Sequence, residues 1–552
     1  MLYCRPMLSG LLLLAALAAP PPDTTHLVLV ATTDVHGRAY GWDYVTDRPF
    51  GGGLARVATV VDSLRARYPG RVLVFDSGDL IQGDPFASVA AADTTPGSNA
   101  VIRAMNLVGY DAATPGNHEF NWGLETMHRA LGAASYPVVS GNIVVLPADT
   151  LMYPPFVVLQ RSGVRVGVSG FTTPGVMVWD RENVRGRVRV DPIELRAGDV
   201  LGEVRRRADL SIVLIHSGME GEASYDTTGV GPEDVAARLA QLPDKPDLVV
   251  VGHSHRAMRD SVLNGVHFIQ PRHWAQGLAV MHVTLVRGDS GWRPVSWQGE
   301  SVPLADVRPD PRVTTALAGA HDSTRAWATR PLAVAPVAMP AAGGRAGPTP
   351  IIGFIHAVQK HRTGAILSVA SAFNLGGSFP AGDVRRADVA SIYPYENTLR
   401  AIRISGAALR ALLERSAEYY QVDVSGAIRV NPDMPGYNFD MVSGATYEMD
   451  LSRPVGQRIR RFAVGGRAVK ATDSFTLAIN SYRQGGGGGY DMLRDAPVVY
   501  DKGENIADLL AAELERLDTV VAADFAEDNW RILPESAARQ VRALAPRSAG
   551  AP

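Results

Sequence analysis

Short apolar runs dominated by β-branched residues recur at 27–31, 72–75, 164–168, 212–215 and 248–251, each bounded by polar or glycine positions. Such runs read as buried strands, because branched side chains suit a pleated surface and turn residues punctuate it. Between them, 54–68 and 194–207 place their apolar residues at the helical period. This alternation predicts an α/β layered domain with a mainly parallel or mixed sheet, and ligands bound beyond the carboxyl ends of its strands. The pattern changes after Pro303. Residues 311–328 read as a connecting helix, and 330–350, rich in Ala, Pro and Gly, as a boundary. From 351 to about 533 the spacing predicts a second, α+β domain, with helices at 351–360 and 406–419 and strands at 366–370, 400–404, 444–450 and 474–480.

Length supports the division, since 552 residues exceed the roughly 250–300 at which single cores stop growing. The expected order is a signal peptide at 1–19, a first domain at 25–303, a linker with its helix at 304–335, a second domain at 336–533 and a disordered tail at 534–552. Arg5, the apolar run 11–17 and Ala16-Leu17-Ala18 carry the export reading, which places the protein in the periplasm or outside the cell. That run is shorter than the ~20 residues of a spanning helix, so no membrane span is expected after cleavage. A formal charge of -2 offers duplex nucleic acid no bulk attraction. Nothing in the pattern specifies an oligomer. The only cysteine, Cys4, falls in the signal segment. Thiolate ligands, thiol nucleophiles and disulfides are therefore excluded from the mature chain.

The candidate chemistry gathers where the strands end. Asp34 and His36 follow the first run, Asp79 the second, His216 closes the run 212–215, and His253 and His255 follow 248–251; Asn117 and His118 sit in Gly116-Asn117-His118-Glu119. If those strands lie side by side, the side chains converge on one edge of one sheet. Carboxylate, imidazole and amide oxygen together suit Zn²⁺, Mn²⁺, Fe²⁺ or similar ions. A carboxylate such as Asp79 can bridge two ions ~3.5–4 Å apart, a spacing that clamps both oxygens of an in-line displacement.

These motifs, in this order, resemble the calcineurin-like metallophosphoesterases. Downstream, Tyr393-Pro394-Tyr395-Glu396-Asn397, Tyr437-Asn438-Phe439-Asp440 and Asn480-Ser481-Tyr482-Arg483-Gln484, the last followed by glycines 485–489 and Tyr490, resemble the C-terminal domain of bacterial 5'-nucleotidases, particularly their 2',3'-cyclic-nucleotide 2'-phosphodiesterase/3'-nucleotidase branch. The resemblance implies a four-layer β-sandwich flanked by helices plus a second α+β substrate-binding domain. It implies two divalent metal ions, one held by Asp34, His36, Asp79 and His255 and the other by Asp79, Asn117, His216 and His253, with in-line attack on phosphorus by a metal-held hydroxide. His118 would steady the phosphate or protonate the leaving oxygen. The substrate would be a small nucleotide, its base sandwiched by Phe439 and Tyr490 with Tyr437 as a nearby substitute, and with Asn374 and Arg483 at hand for ribose or phosphate.

Two departures shape the expectation. Asn121 stands where 5'-nucleotidases carry an Asp that orients the catalytic histidine, and Phe379 stands where they carry a phosphate-binding Arg. Both favour the cyclic and 3' activity. A 5'-nucleotidase or UDP-sugar hydrolase, and an exported nucleotide-binding protein without turnover, are the alternatives. The glycine run lacks the Gly-Lys-Ser/Thr ending of a P-loop, which excludes that ATPase reading; its lack of Cβ atoms suits close approach of backbone to a ligand. His273 is a further candidate to line the site, and His267, in a strand-like run, reads as structural.

Overall fold

The computed structural model describes residues 23–544; the signal segment expected at 1–19 and the last part of the expected tail, 545–552, lie outside them. The first domain is built on two sheets. One has the order Gly291–Pro303, Gly277–Gly288, Thr24–Thr32, Val72–Asp76, Ala112–Ala113; the other runs Met258–Leu263, Val266–Gln270, Leu248–Val251, Leu210–His216, Val164–Thr172, Phe156–Arg161. Side-chain alternation explains why their sequences are continuously apolar. Leu27, Leu29 and Ala31 face Val166, Ile212 and Val250 in a core between the sheets, whereas Val28 and Val30 face the helices Leu54–Arg67 and Ala100–Val108. Val213, Ile215 and Val249 face the helix Ile193–Arg207 on the far side. The layers are therefore helix, sheet, sheet, helix.

This arrangement corrects the expectation of one sheet edge. Thr24–Thr32, Val72–Asp76 and Ala112–Ala113 are parallel neighbours in the first sheet, and Leu210–His216 and Leu248–Val251 in the second. Loops from both sheets supply the candidate ligands.

The connecting helix, Pro311–Thr329, starts where Asp310 accepts a hydrogen bond from the Arg312 amide at 2.7 Å and Pro311 presets its first turn. Val313, Leu317 and Ala328 are enclosed in the first domain's core. It is a packed element of that domain and not a free tether.

The second domain's main sheet runs Asp440–Ser443, Leu367–Ser371, Ser474–Asn480, Thr398–Ser405, Val498–Asn505, covered by Pro350–Thr363 and Gly406–Ala417. The strand expected at 444–450 is observed as Ala445–Asp450, in a separate four-stranded sheet. Gly444, at φ 86°, makes the switch between sheets where a Cβ would strike the Ile366 carbonyl. The described part of the expected disordered tail is also different: Glu535–Leu544 is a helix that buries Ala537, Ala538 and Val541. Its apolar residues at helical spacing give it a face to pack, which offsets the entropy of ordering the segment. Among the described residues, no helix is long and apolar enough to cross a membrane.

Candidate metal centre

Each ligand loop leaves its strand through a sharp turn. Asp34, His36, Asp79, His253 and His255 all have φ between 49° and 70°, a left-handed region that residues other than glycine seldom occupy and that clusters at functional sites. Glycine lets the loops touch: at Gly116 a Cβ would collide with the Asp79 carboxylate, and at Gly78 with Gly116. Glu119, wholly buried, laces the same loops together. Its carboxylate accepts from the amides of Asp79 at 2.9 Å, Leu80 at 2.6 Å and Gly116 at 2.5 Å.

The loops bring most of the sequence-derived ligands to one point. His36 Nε2 lies 3.1 Å from His255 Nε2 and 3.7 Å from Asp79 Oδ2, and His255 Nε2 lies 3.4 Å from Asp34 Oδ1. On the other side, His216 Nε2 is 3.0 Å from Asp79 Oδ2 and 4.0 Å from Asp34 Oδ1. Asp79 is common to two groups whose donor atoms are near enough to share an ion, His36–Asp79–His118 and Asp34–Asp79–His216, and Asp34 joins the second of these to Asp34–His36–His255. His216 Nδ1 donates to the Ser77 carbonyl at 2.7 Å, which turns its Nε2 inward toward Asp79. That Nε2 lacks the alignment of a hydrogen bond, and Asn117 Oδ1 is likewise buried without a partner. A buried amide oxygen with no partner, beside a histidine held 3.0 Å from a buried carboxylate, is costly unless something positive satisfies it.

The electrostatics agree. Burial alone would raise the Asp34 carboxyl, but the His255 hydrogen bond and the His216 charge hold it at about 2. Asp79 is also opposed by burial and is held well below the usual carboxylate range by His216 and His118. Burial pushes His36 down to about 3, against the pull of Asp79. The centre favours anionic carboxylates and, at His36, a neutral imidazole; against its burial, Asp79 and Asp34 raise His216 to about 10, a proton standing where a metal ion would neutralise the same carboxylates.

His253 is placed differently. Its Nε2 pairs with Glu233 Oε1 at 2.9 Å, its ring is 5.3 Å from that of His216, and Trp179 stacks on it at 5.5 Å. His273 stacks on His255 at 4.6 Å. His267 pairs with Asp260 at 3.0 Å and lies against Trp297. His118 is one-quarter exposed, with Nδ1 2.6 Å from Asn121 Oδ1 and Nε2 3.9 Å from Asp79 Oδ2. Glu233 and Trp179 carry no sequence signal, since neither follows a strand and each meets its partner only through folding.

The second-domain expectations need correction. Phe439 is 0% exposed among Tyr419, Tyr420 and Trp530, and Tyr490 is 0% exposed with its hydroxyl donating to the Asn438 carbonyl at 2.7 Å. Neither ring has a face for a base. Arg483 covers Tyr490 at 4.1 Å, approaches Asp440 at 2.6 Å, and donates to Asn438 at 3.1 Å and to the Tyr437 carbonyl at 2.9 Å. It is a buried cation that joins two loops, not a cation for the substrate. The glycines make room for the chain itself: at Gly487 a Cβ would meet the Tyr482 ring at 2.6 Å, and at Gly485 the Val178 carbonyl of the first domain at 2.9 Å. Asn374 turns back on its own loop, accepting from Gly376 at 2.9 Å and donating to Ser391 at 3.1 Å. Phe379 is a core residue against Phe354. What stays open to solvent is a half-buried aromatic group: Phe373, Tyr395 edge-on to it at 5.1 Å, Tyr437 at 6.0 Å from Tyr395, and Tyr482. Burial raises the Tyr437 phenol, and the charges of Tyr482, Tyr395 and Glu233 raise it further.

Comparison with known proteins agrees with this architecture. Residues 27–257 match the calcineurin-like phosphoesterase family, and 331–495 match the 5'-nucleotidase C-terminal domain. The chain belongs to the metallophosphoesterases that join these two domains, and it is a phosphoric ester hydrolase. The 2',3'-cyclic-nucleotide 2'-phosphodiesterase/3'-nucleotidase of Salmonella typhimurium is 28% identical over 93% of this chain and 89% of its own length. The trifunctional nucleotide phosphoesterase YfkN of Bacillus subtilis is also 28% identical over 93% of the chain, which spans 39% of that longer protein. Among solved structures, a Staphylococcus aureus protein provisionally described as a 5'-nucleotidase superposes with a TM-score of 0.80 at 26% identity, covering 92% of this chain and 100% of that one.

Proposed function

We propose that the chain is an exported, dinuclear-metal phosphohydrolase that opens 2',3'-cyclic nucleotides and removes phosphate from 3' nucleotides. The observation that carries the metal reading is the convergence of the Asp34, His36, Asp79, His216 and His255 donor atoms, together with the buried, unpartnered Asn117 Oδ1. Oxygen and imidazole donors of this kind suit Zn²⁺ or Mn²⁺. Asp34, His36, Asp79 and His255 would hold one ion; Asp79, Asn117, His216 and His253 the other. When bound, the ions neutralise charge on the phosphate oxygens and lower the pKa of water.

The chain's own residues then divide the work. Glu233 fixes the His253 ring through Nε2, leaving Nδ1 for the centre. His118, partly exposed beside Asp79, delivers a proton from Nε2 to the leaving ribose oxygen. Tyr437 and Tyr482 take the base, because they retain solvent-facing rings near Glu233. Preference for the cyclic and 3' positions is supported by Asn121 at His118, by apolar Phe379 where 5'-nucleotidases carry a phosphate-binding Arg, and by the similarity to the Salmonella enzyme. The leader 1–19 supports export.

The test is phosphate release from 3'-AMP and 5'-AMP, measured beside ring opening of 2',3'-cyclic AMP, by protein reloaded with Mn²⁺ or Zn²⁺. Faster turnover of the cyclic and 3' substrates is expected. Preference for 5'-AMP would replace the reading by a 5'-nucleotidase, and no turnover of any of the three would abandon it.

A further inference from the structure

Asp180 sits on the turn between two helical segments, Val176–Trp179 and Arg181–Val184, and is 6% exposed. Its Oδ1 accepts from Asn121 Nδ2 at 2.9 Å, while the oxygen of that same amide lies 2.6 Å from His118 Nδ1. Asn183 braces the turn by donating to the Phe120 carbonyl at 2.9 Å. The second domain presses on the segment as well, through Gly485 beneath the Val178 carbonyl and Arg400 3.8 Å from Glu182. An amide is nearly symmetric in shape and asymmetric in hydrogen bonding, so Asn121 could by itself present either end to His118. An ionised carboxylate only accepts, and therefore admits one orientation.

We propose that Asp180 is a positioning residue for His118: by accepting the Asn121 N–H it turns the amide oxygen onto His118 Nδ1, so that His118 donates its Nδ1–H there and Nε2 faces the reaction centre; when the proton on Nε2 passes to the leaving oxygen, the ring is left in the Nδ1–H form. The Asp that sequence comparison misses at position 121 is thus supplied one residue further out. Burial raises the Asp180 carboxyl to about 6, partly offset by the Asn121 hydrogen bond, which leaves it ionised at neutral pH. The inference rests on the reading of His118 as the proton donor to the leaving oxygen.

The test uses the full metal-loaded chain labelled with ¹⁵N-histidine. Asp180→Asn keeps the shape but pairs with Asn121 in either direction; it is expected to lower kcat about 10-fold, part of the ~10²–10⁴ contributed by a positioned proton donor, with KM unchanged. The His118 nitrogen signals should shift from the Nδ1–H form toward a mixture. The swap Asn121→Asp/Asp180→Asn, in which the carboxylate moved to position 121 accepts from both neighbours, should restore kcat and the Nδ1–H signal. Wild-type kcat and tautomer in Asp180→Asn, or no recovery in a folded swap variant, would overturn the proposal. His118→Gln with wild-type turnover would instead remove the reading of His118, and the nitrogen signals would still decide whether Asp180 orients the ring.

Discussion

The loops around Asp79 and the loops around Arg483 are both dense in polar groups, yet they settle their charges differently. Around Arg483 the charges are matched inside the protein: the guanidinium lies 2.6 Å from Asp440, an ion pair in which Arg483 Nε and Asp440 Oδ2 lack the alignment of a hydrogen bond, and it donates to Asn438 and the Tyr437 carbonyl, while the Tyr490 hydroxyl has Asn438. Around Asp79, backbone strain is concentrated, carboxylates crowd, and acceptors such as Asn117 Oδ1 stay unpaired. Satisfied networks make architecture, because an apolar core tolerates polar groups only when they are paired. Unsatisfied ones mark where a ligand completes the accounting. The same contrast separates Phe439 and Tyr490 from Tyr437, since an aromatic with no exposed face cannot stack on a base.

The largest expected effect that would break this contrast is at Asp79. Asp79→Ala removes the carboxylate common to two donor groups, and turnover should fall by at least about 10³-fold, the scale seen when a principal charge-stabilising group is lost. Elemental analysis should show less than two ions per chain; full activity would dissolve the distinction. Phe439→Ala comes next. It should cost about 3–5 kcal/mol of stability, the usual range for an enclosed aromatic, read by denaturant unfolding, with KM unchanged where the variant is folded. A raised KM with unaltered stability would return Phe439 to the substrate. Tyr437→Ala should do the reverse, weakening nucleotide binding by about 1–3 kcal/mol, the value of base stacking, measured as KM for 3'-AMP, with little change in melting temperature.

The smallest effect concerns the contact between domains. Glu396 accepts from Asn505 at 2.6 Å and from Ser88 of the first domain at 3.4 Å, and burial raises its carboxyl from 4.5 to about 7. A raised acid binds its proton more tightly folded than unfolded, so stability declines as pH rises from 4.5 to 7. Glu396→Gln should match wild type below that window and melt at a higher temperature above it; thermal melts across the range check this.

How much was legible follows from the same physics. The first domain's strands, and the ligands at their ends, could be read because a buried parallel strand writes a continuous apolar run and its ends are punctuated. That the runs belonged to two facing sheets could not, since Val28 and Leu29 look alike in sequence though they face different cores. In the second domain, similarity pointed to the right loops but not to the burial of Phe439, Tyr490 and Arg483, which depends on Trp530 reaching Phe439 and on the loop with Asn438 and Asp440 meeting Arg483 and Tyr490. Asp180 and Glu233 were silent for that reason too: each acts through one long-range hydrogen bond, to Asn121 or His253.

Calorimetric titration of the metal-stripped protein with Zn²⁺, run on the wild type and on His216→Ala, tests the central claim most directly. Two ions per wild-type chain, with the second lost or much weakened in the variant, is the predicted result. One ion or none in the wild type, or an unchanged titration in His216→Ala, would contradict it.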